Sequence, residues 1–211
     1  MRTSALTALV TLTLAAPLAA HAGTKTREMT KIVGYSTNAQ WEFTQGNILT
    51  FVSVVATQND LSGTAGTAED AFVALAISRA DLDTGNVLLD GVAYLGVGLP
   101  GTFQINVDHN LGTATLHVQD AVFQDDSTFT FFNINLDLTW TATGDAYTSK
   151  SQDRIKEPGL KINSHFKGTF RDGVARGSIF GKNTQWTPVD SSSAQLQFNQ
   201  FGQHTITTDT P

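Results

Sequence analysis

The residues best placed for chemistry form an alternating basic segment between Leu160 and Arg171. Side chains two residues apart in a strand lie on the same face, so this segment separates its polar residues from its apolar ones. The Asp172-Gly173 pair that follows is typical of a two-residue hairpin turn, which would bring Arg176 onto the same face. The predicted polar face of this hairpin carries Lys161, His165, Lys167, Arg171 and Arg176, and its core side carries Phe166 and Phe170 opposite Ile179 and Ala175.

This hairpin face is a candidate surface for an anionic partner, because charge is segregated along the chain. Residues 150–182 contain eight basic and three acidic residues, whereas residues 60–145 contain twelve acidic residues and the single base Arg79. Such a face would attract an anionic glycan, a lipid headgroup or an acidic protein surface. Alternatively, the cations pair with acids of the same sheet, for which Asp137 is available. Nucleic acid is not indicated, because the chain has a net charge of −6 and carries no nucleic-acid motif.

Other candidate chemistry has less support in the sequence. Asp81, Asp83 and Asp90 surround Gly85 as in part of a calcium-binding loop, but the bidentate glutamate is missing and a polar turn explains them as well. No pair of histidines has the helical spacing of a zinc protease. Neither a Gly-x-Ser-x-Gly elbow nor a phosphate-binding glycine loop is present. The sequence therefore predicts no catalytic residue, no metal ligand and no cofactor.

Aromatic residues could supply a platform on which sugar rings stack. Trp140 lies on the apolar face of a predicted strand, so we expect it in the core. Trp186 precedes Pro188 in a loop-like stretch and is the better candidate for an exposed binding residue.

Alternating apolar and polar residues predict β-strands along almost the whole chain. The clearest strand spans residues 128–142, in which apolar residues from Phe132 to Trp140 occupy every second position. Gly46-Asn47 lies between two such runs and predicts a hairpin turn.

Two segments lack a clear strand pattern. Residues 67–80 fit either a helix or a strand, and the strand is favoured because a turn and another apolar run follow. Residues 143–159 are polar and predict a long loop. This loop would carry Lys150, Arg154 and Lys156 next to the basic hairpin.

The first 22 residues predict a secretory signal peptide. Arg2 precedes the apolar run Ala5–Ala16, which is shorter than the ~20 residues needed to cross a bilayer, and Ala20-His21-Ala22 suits signal peptidase. We therefore expect cleavage after Ala22 and a secreted or periplasmic protein. The absence of cysteine excludes a disulfide-stapled miniprotein and a zinc site built on thiolates.

Together these patterns predict one all-β domain over residues 23–211, an antiparallel β-sandwich or a closed β-barrel of roughly 9–11 strands. The function they favour is that of an exported, non-catalytic protein with a binding or structural role, using the basic hairpin face for an anionic partner. A ligand-carrying barrel, a small outer-membrane barrel and a secreted hydrolase are the alternatives. The sequence leaves the choice between sandwich and barrel open, and also the oligomeric state.

Overall fold

The computed structural model describes residues 25–60, 70–96 and 99–208, and in these ranges the chain is built of β-strands. The strands are β1 (Lys25–Gln45), β2 (Ile48–Asp60), β3 (Asp70–Asp81), β4 (Val87–Leu95), β5 (Thr102–Val107), β6 (Thr113–Asp125), β7 (Thr130–Ala142), β8 (Tyr147–Glu157), β9 (Leu160–Gly181), β10 (Thr184–Gln185) and β11 (Ser193–Thr208). No helix that could span a membrane is found in the described ranges. The all-β prediction is confirmed.

The strand pairings close into a ring. β1 pairs with β2, β2 with β3 and β3 with β4; β4 then pairs with β6, and β6 with β7. β7 then pairs with β9, β9 with β11, and β11 returns to β1. The shorter strands β5, β8 and β10 pair with the free parts of β6 and β9. All eleven strands therefore belong to one antiparallel, barrel-like sheet.

The ring encloses one apolar core. In β7, Ile134, Leu136, Leu138 and Trp140 are buried while the residues between them are exposed, as the alternation predicts. Burial of each such side chain stabilises the fold by ~1.5–3 kcal/mol relative to exposure. Trp140 is fully buried and donates a hydrogen bond from Nε1 to the backbone oxygen of Asn38 at 2.9 Å, so its predicted place in the core is confirmed.

The structure also resolves the choice between helix and strand and confirms one hairpin turn. Residues from Asp70 onward form β3, so the strand is correct there, whereas residues 67–69 lie outside the described ranges. Gln45 pairs with Ile48 across Gly46-Asn47, and Gly46 has a φ of 62°, as expected for glycine in a primed turn. The predicted signal peptide, residues 1–22, also lies outside the described residues.

The predicted turn at Asp172-Gly173 is wrong, because β9 runs through it without a break. At this point β9 changes its neighbour from β8 to β7. A Cβ added at Gly173 would lie 2.7 Å from the backbone oxygen of Thr141, so glycine is needed here for the close approach of two strands. Asp172-Gly173, a dipeptide that favours turns, therefore lies inside a strand in this fold. The predicted pairing of Thr169 with Arg176 does not form, because Thr169 pairs with Phe198 and Arg176 with Thr139.

The long loop predicted over residues 143–159 is also wrong, because most of it forms β8. A Pro158-Gly159 turn connects β8 to β9, with Gly159 at a φ of 77°. Every residue of β8 is exposed, so neither face of the strand needs apolar side chains. The alternation that normally reveals a strand comes from burial of one face and is therefore absent here.

Four strand segments continue beyond the ring as a small sheet that we call the extension. They pair in the order β8, β9, β11 and β1. The segments are residues 150–157, 160–167, 200–207 and 26–33. Within the described residues, β1 pairs with β2 only from Val33 onward, so the extension lies past the rim of the ring.

Candidate anion-binding face

The two faces of the extension differ in charge. Paired residues of antiparallel strands share a face and side chains alternate along each strand, so the register assigns every residue to one face. The face that we call the basic face carries Arg27, Lys31, Lys150, Arg154, Lys156, Lys161 and Lys167, with His165 and His204 among them. Within the four segments, no acidic residue lies on this face. The acids Glu28, Asp153 and Glu157 lie on the opposite face.

The opposite face carries apolar side chains among its polar and acidic ones. It carries Ile32, Ile155, Ile162, Phe166 and Phe201, and the rings of Phe166 and Phe170 cover Gly168 beside it. The sequence predicted Phe166 and Phe170 on the core side, and this is wrong. Counting back by twos from Ala175 and Ile179, which are buried in the core, leads along the unbroken strand to the cations and not to the phenylalanines. The basic face therefore continues the core-facing side of the ring.

Lys161, His165 and Lys167 lie together as predicted, whereas Arg171 has another role. Arg171 is on the same side of β9 but pairs with Leu196 at the rim of the ring. It donates a hydrogen bond from Nε to the backbone oxygen of Gly144 at 2.7 Å and lies 3.5 Å from that of Asn110. Arg171 thus holds two loops at the edge of the basic face.

Arg176 does not join this group, because the continuous strand places it on the other side of β9. It forms two hydrogen bonds with the carboxylate of Asp190, at 2.9 and 2.8 Å. This hydrogen-bonded contact raises the pKa of Arg176 and lowers that of Asp190. Arg176 therefore already has an anionic partner within the chain.

The alternative in which the cations pair with acids of the same sheet is not what the structure shows. Asp137 lies on the outer side of the ring, opposite His117 and Ser178. In the part of the chain that the structure describes, the Arg176–Asp190 pair is the one salt bridge. The cations of the basic face are therefore without internal counter-charges among these residues.

Trp186 is buried, with 4% of its surface exposed, so the expectation of an exposed binding residue is wrong. The guanidinium of Arg79 lies 5.5 Å from the centre of its ring. A buried tryptophan cannot offer its face to a sugar. Local sequence suggested a loop, but the chain folds Trp186 back onto the core.

Three contributors to the basic face were not predicted: Arg27, Lys31 and His204. They lie on β1 and β11, far from β9 in the sequence, and only the strand pairing brings them beside His165 and Lys167. For Lys150, Arg154 and Lys156 the sequence predicts a loop next to the basic hairpin. These residues are separated by multiples of two positions, and this spacing is the signal that a strand could place them on one face.

A groove of about 420 Å³ crosses the basic face. Its lining includes Met29, Lys31, His165, Lys167 and His204, with Gly202 among them. Lysine and histidine side chains therefore flank the groove, while most of its surface is apolar.

The loop between β5 and β6 borders the basic face at the rim. The hydroxyl of Tyr35 lies 2.7 Å from Nδ1 of His109 in this loop, and Leu111 is buried against the core. Partial burial and, to a smaller extent, the carboxylate of Asp108 raise the pKa of Tyr35, so the phenol is protonated at neutral pH. The loop closes the core at this end and rises on the same side as the basic face.

Hydrogen bonds within the acidic turn explain the position of Asp81 without a metal ion. Oδ1 of Asp81 accepts hydrogen bonds from the backbone N–H groups of Asp83 and Thr84, at 2.9 and 3.0 Å. These bonds, chiefly that of Thr84, lower the pKa of Asp81. Among the described residues, no group of three or more histidine, cysteine or acidic side chains could hold a metal ion.

Comparison with known proteins adds no information about this face. No protein family, no curated protein and no solved structure matches the chain. The chemistry of the basic face is therefore inferred from its own residues.

Proposed function

We propose that this protein is a non-catalytic binder of an acidic glycan chain outside the cytoplasm, and that the basic face of the extension is the binding surface. One observation carries the proposal: the extension gathers its lysines and arginines on one face and its acids on the other. Export to a secreted or periplasmic location is supported by the signal-peptide pattern of residues 1–22.

The dimensions of the basic face suit a charged polymer. Strands are about 4.8 Å apart and residues on the same face are about 6.8 Å apart along a strand, so the array measures about 14 by 20 Å. Cations at this spacing, with no acid on the same face of the four segments, add their potentials, which attracts an anion and holds it. Close to an anionic surface, each lysine or arginine contributes about 1 kcal/mol.

The shape of the basic face favours binding of a polysaccharide chain over binding of a flat membrane. A groove crosses the face, and the β5–β6 loop stands at its edge through contacts with Tyr35 and Arg171. A polysaccharide chain can lie along such a groove, whereas a planar bilayer would meet the loop first. A lipid headgroup or an acidic protein surface is therefore the less favoured partner.

Calorimetric titration of the purified full chain tests the proposal. Polygalacturonate is the anionic probe, dextran the neutral control, and vesicles with anionic phospholipids the membrane control. We expect polygalacturonate to bind with an affinity that falls as salt is added, because the ions screen the charges. Binding to dextran with the same affinity, or to the vesicles alone, would overturn the assignment.

Two double variants of equal charge separate the basic face from net charge. Arg154→Ser with Lys161→Ser removes two cations from the basic face. Arg176→Ser with Lys182→Ser removes one arginine and one lysine elsewhere on the chain. The first pair should weaken polygalacturonate binding roughly thirtyfold, from about 1 kcal/mol for each cation. The second should change the affinity less than about twofold, and equal losses would contradict a defined surface.

A further inference from the structure

We infer that the groove on the basic face, next to the His165 ring that covers Gly202, holds one oxyanion group of the partner: a carboxylate, sulfate or phosphate. The inference rests on the proposed function and adds to it the point at which a single charged group is fixed. It follows from the neighbours of Gly202 and from the position of the His165 ring.

Gly202 is surrounded on the basic face by residues that can donate hydrogen bonds. The register places Lys31 beside it on β1 and His165 beside it on β9. Along β11, the next residues on the same face are Gln200 and His204. Because residue 202 has no side chain, a neighbouring side chain can lie directly over it.

The ring of His165 fills the space over Gly202. A Cβ at Gly202 would lie 3.1 Å from Nδ1 of His165 and closer still to Nε2, so the imidazole lies over the glycine. β11 lies between β9 and β1, so the imidazole of His165 extends from β9 over β11 in the direction of Lys31 on β1. Only glycine allows it, since any side chain at residue 202 would push the imidazole away.

These groups match a compact oxyanion. An ammonium group, imidazole N–H groups and the amide of Gln200 can all donate, and Lys167, a diagonal neighbour that also lines the groove, adds a second ammonium group. Hydrogen bonds between charged donors and an oxyanion are shorter and about twice as strong as neutral ones. The groove of about 420 Å³ leaves room for the group to enter from the chain that carries it.

Titration of the full chain with inorganic phosphate and with sulfate, followed by NMR of the imidazole groups, tests the site. We expect saturable shifts at His165 and His204. His117, on the outer side of the ring opposite Asp137, is the internal control and should not shift. Shifts that grow linearly at all three histidines without saturation would show general ionic effects and overturn the inference.

The variant Gly202→Ala keeps every charge and displaces the His165 ring from its position beside the groove. We expect phosphate binding to weaken at least about tenfold, because the lost contacts are charge-assisted hydrogen bonds. Gly144→Ala is the matched control, since a Cβ there meets nothing within 4 Å. Lys31→Gln, at an exposed residue, provides a second test that does not depend on how β11 tolerates alanine.

The two proposals fail in different ways. If Gly202→Ala binds both phosphate and polygalacturonate like the parent protein, the oxyanion site is wrong and the proposed function stands. If the parent protein does not bind polygalacturonate at all, the proposed function fails, and the inference that rests on it fails too.

Discussion

At the scale of single residues, Asp125 shows how a buried carboxylate organises a turn. Asp125 is fully buried at the end of β6. Its Oδ1 accepts hydrogen bonds from the backbone N–H and the hydroxyl of Ser127, at 3.0 and 2.6 Å, and its Oδ2 accepts one from Thr128 at 2.7 Å. Burial acts to raise its pKa, but these hydrogen bonds outweigh it and the pKa is lowered from 3.8. The ionised form therefore stabilises the β6–β7 connection.

We expect Asp125→Asn to lower the free energy of unfolding at pH 7 by about 2 kcal/mol, because charged hydrogen bonds are lost. Since the folded pKa is depressed, this contribution is present above the unfolded pKa of about 4 and disappears as the pH falls through the folded value. Urea unfolding at pH 7 and at pH 3 measures it. The parent protein should lose more stability than the variant on acidification.

The neighbouring change Asp126→Asn is the control for this experiment. Asp126 is exposed, and its side chain accepts one hydrogen bond from Gln124. It should change the stability by less than about 0.5 kcal/mol at either pH. A difference between the parent and Asp125→Asn that is as large at pH 3 as at pH 7 would contradict the role of the ionised carboxylate.

At the scale of elements, the long strand β9 connects the ring to the extension. Its first part pairs with β8 and β11, and its last part with β7. Because the strand is continuous, burial of Ala175 and Ile179 in the core determines which side Lys161 and Lys167 face. The alternation of side chains along this one strand therefore decides both which of its residues enter the core and which lie on the basic face.

We expect Gly173→Val to destabilise the protein by roughly 2 kcal/mol, because the added side chain meets the backbone of Thr141 and the side chain of Leu196. Gly96→Ala is the control, since its nearest neighbour would be 3.7 Å away. Chemical unfolding measures both changes. A loss below about 0.5 kcal/mol for Gly173→Val would contradict the close approach of the strands.

The sequence predicts those elements that have one buried face and not those that lack one. β6 and β7 alternate because their inner residues fill the core, and the alternation is visible without a structure. β8 has no buried residue and therefore no pattern. Asp172-Gly173 has the composition of a turn, and the crowding that explains the glycine arises from Thr141, a residue that the local sequence does not reveal.

The residues of the basic face can be predicted from the sequence only where they share one strand. Lys161, His165 and Lys167 are close in sequence, so a single strand suffices to group them. Lys31 and His204 reach the same face only through the pairing of β1 with β11 and of β11 with β9. Such long-range pairing cannot be read from one sequence, because many registers bury the same apolar residues.

At the scale of the whole molecule, charge is separated between the ring and the extension. Residues 60–145, which carry twelve acids and one base, supply the ring strands β3, β4, β6 and β7 and the adjoining β5, whereas the basic face lies past the rim of the ring. An anionic chain is repelled by the acidic body and attracted to the extension, so the field orients it before contact. This arrangement allows a protein with a net charge of −6 to bind an anion.

Lysine acetylation with and without polygalacturonate, read by mass spectrometry, tests the central claim most directly. Lys31, Lys150, Lys156, Lys161 and Lys167 lie on the basic face, whereas Lys182 follows the opposite end of β9 and is exposed. We predict that polygalacturonate slows acetylation of the basic-face lysines at least about fivefold, because bound anionic groups cover their amines, and leaves Lys182 unchanged. Equal protection of Lys182, or no protection of the basic face while the glycan is bound, would contradict the account.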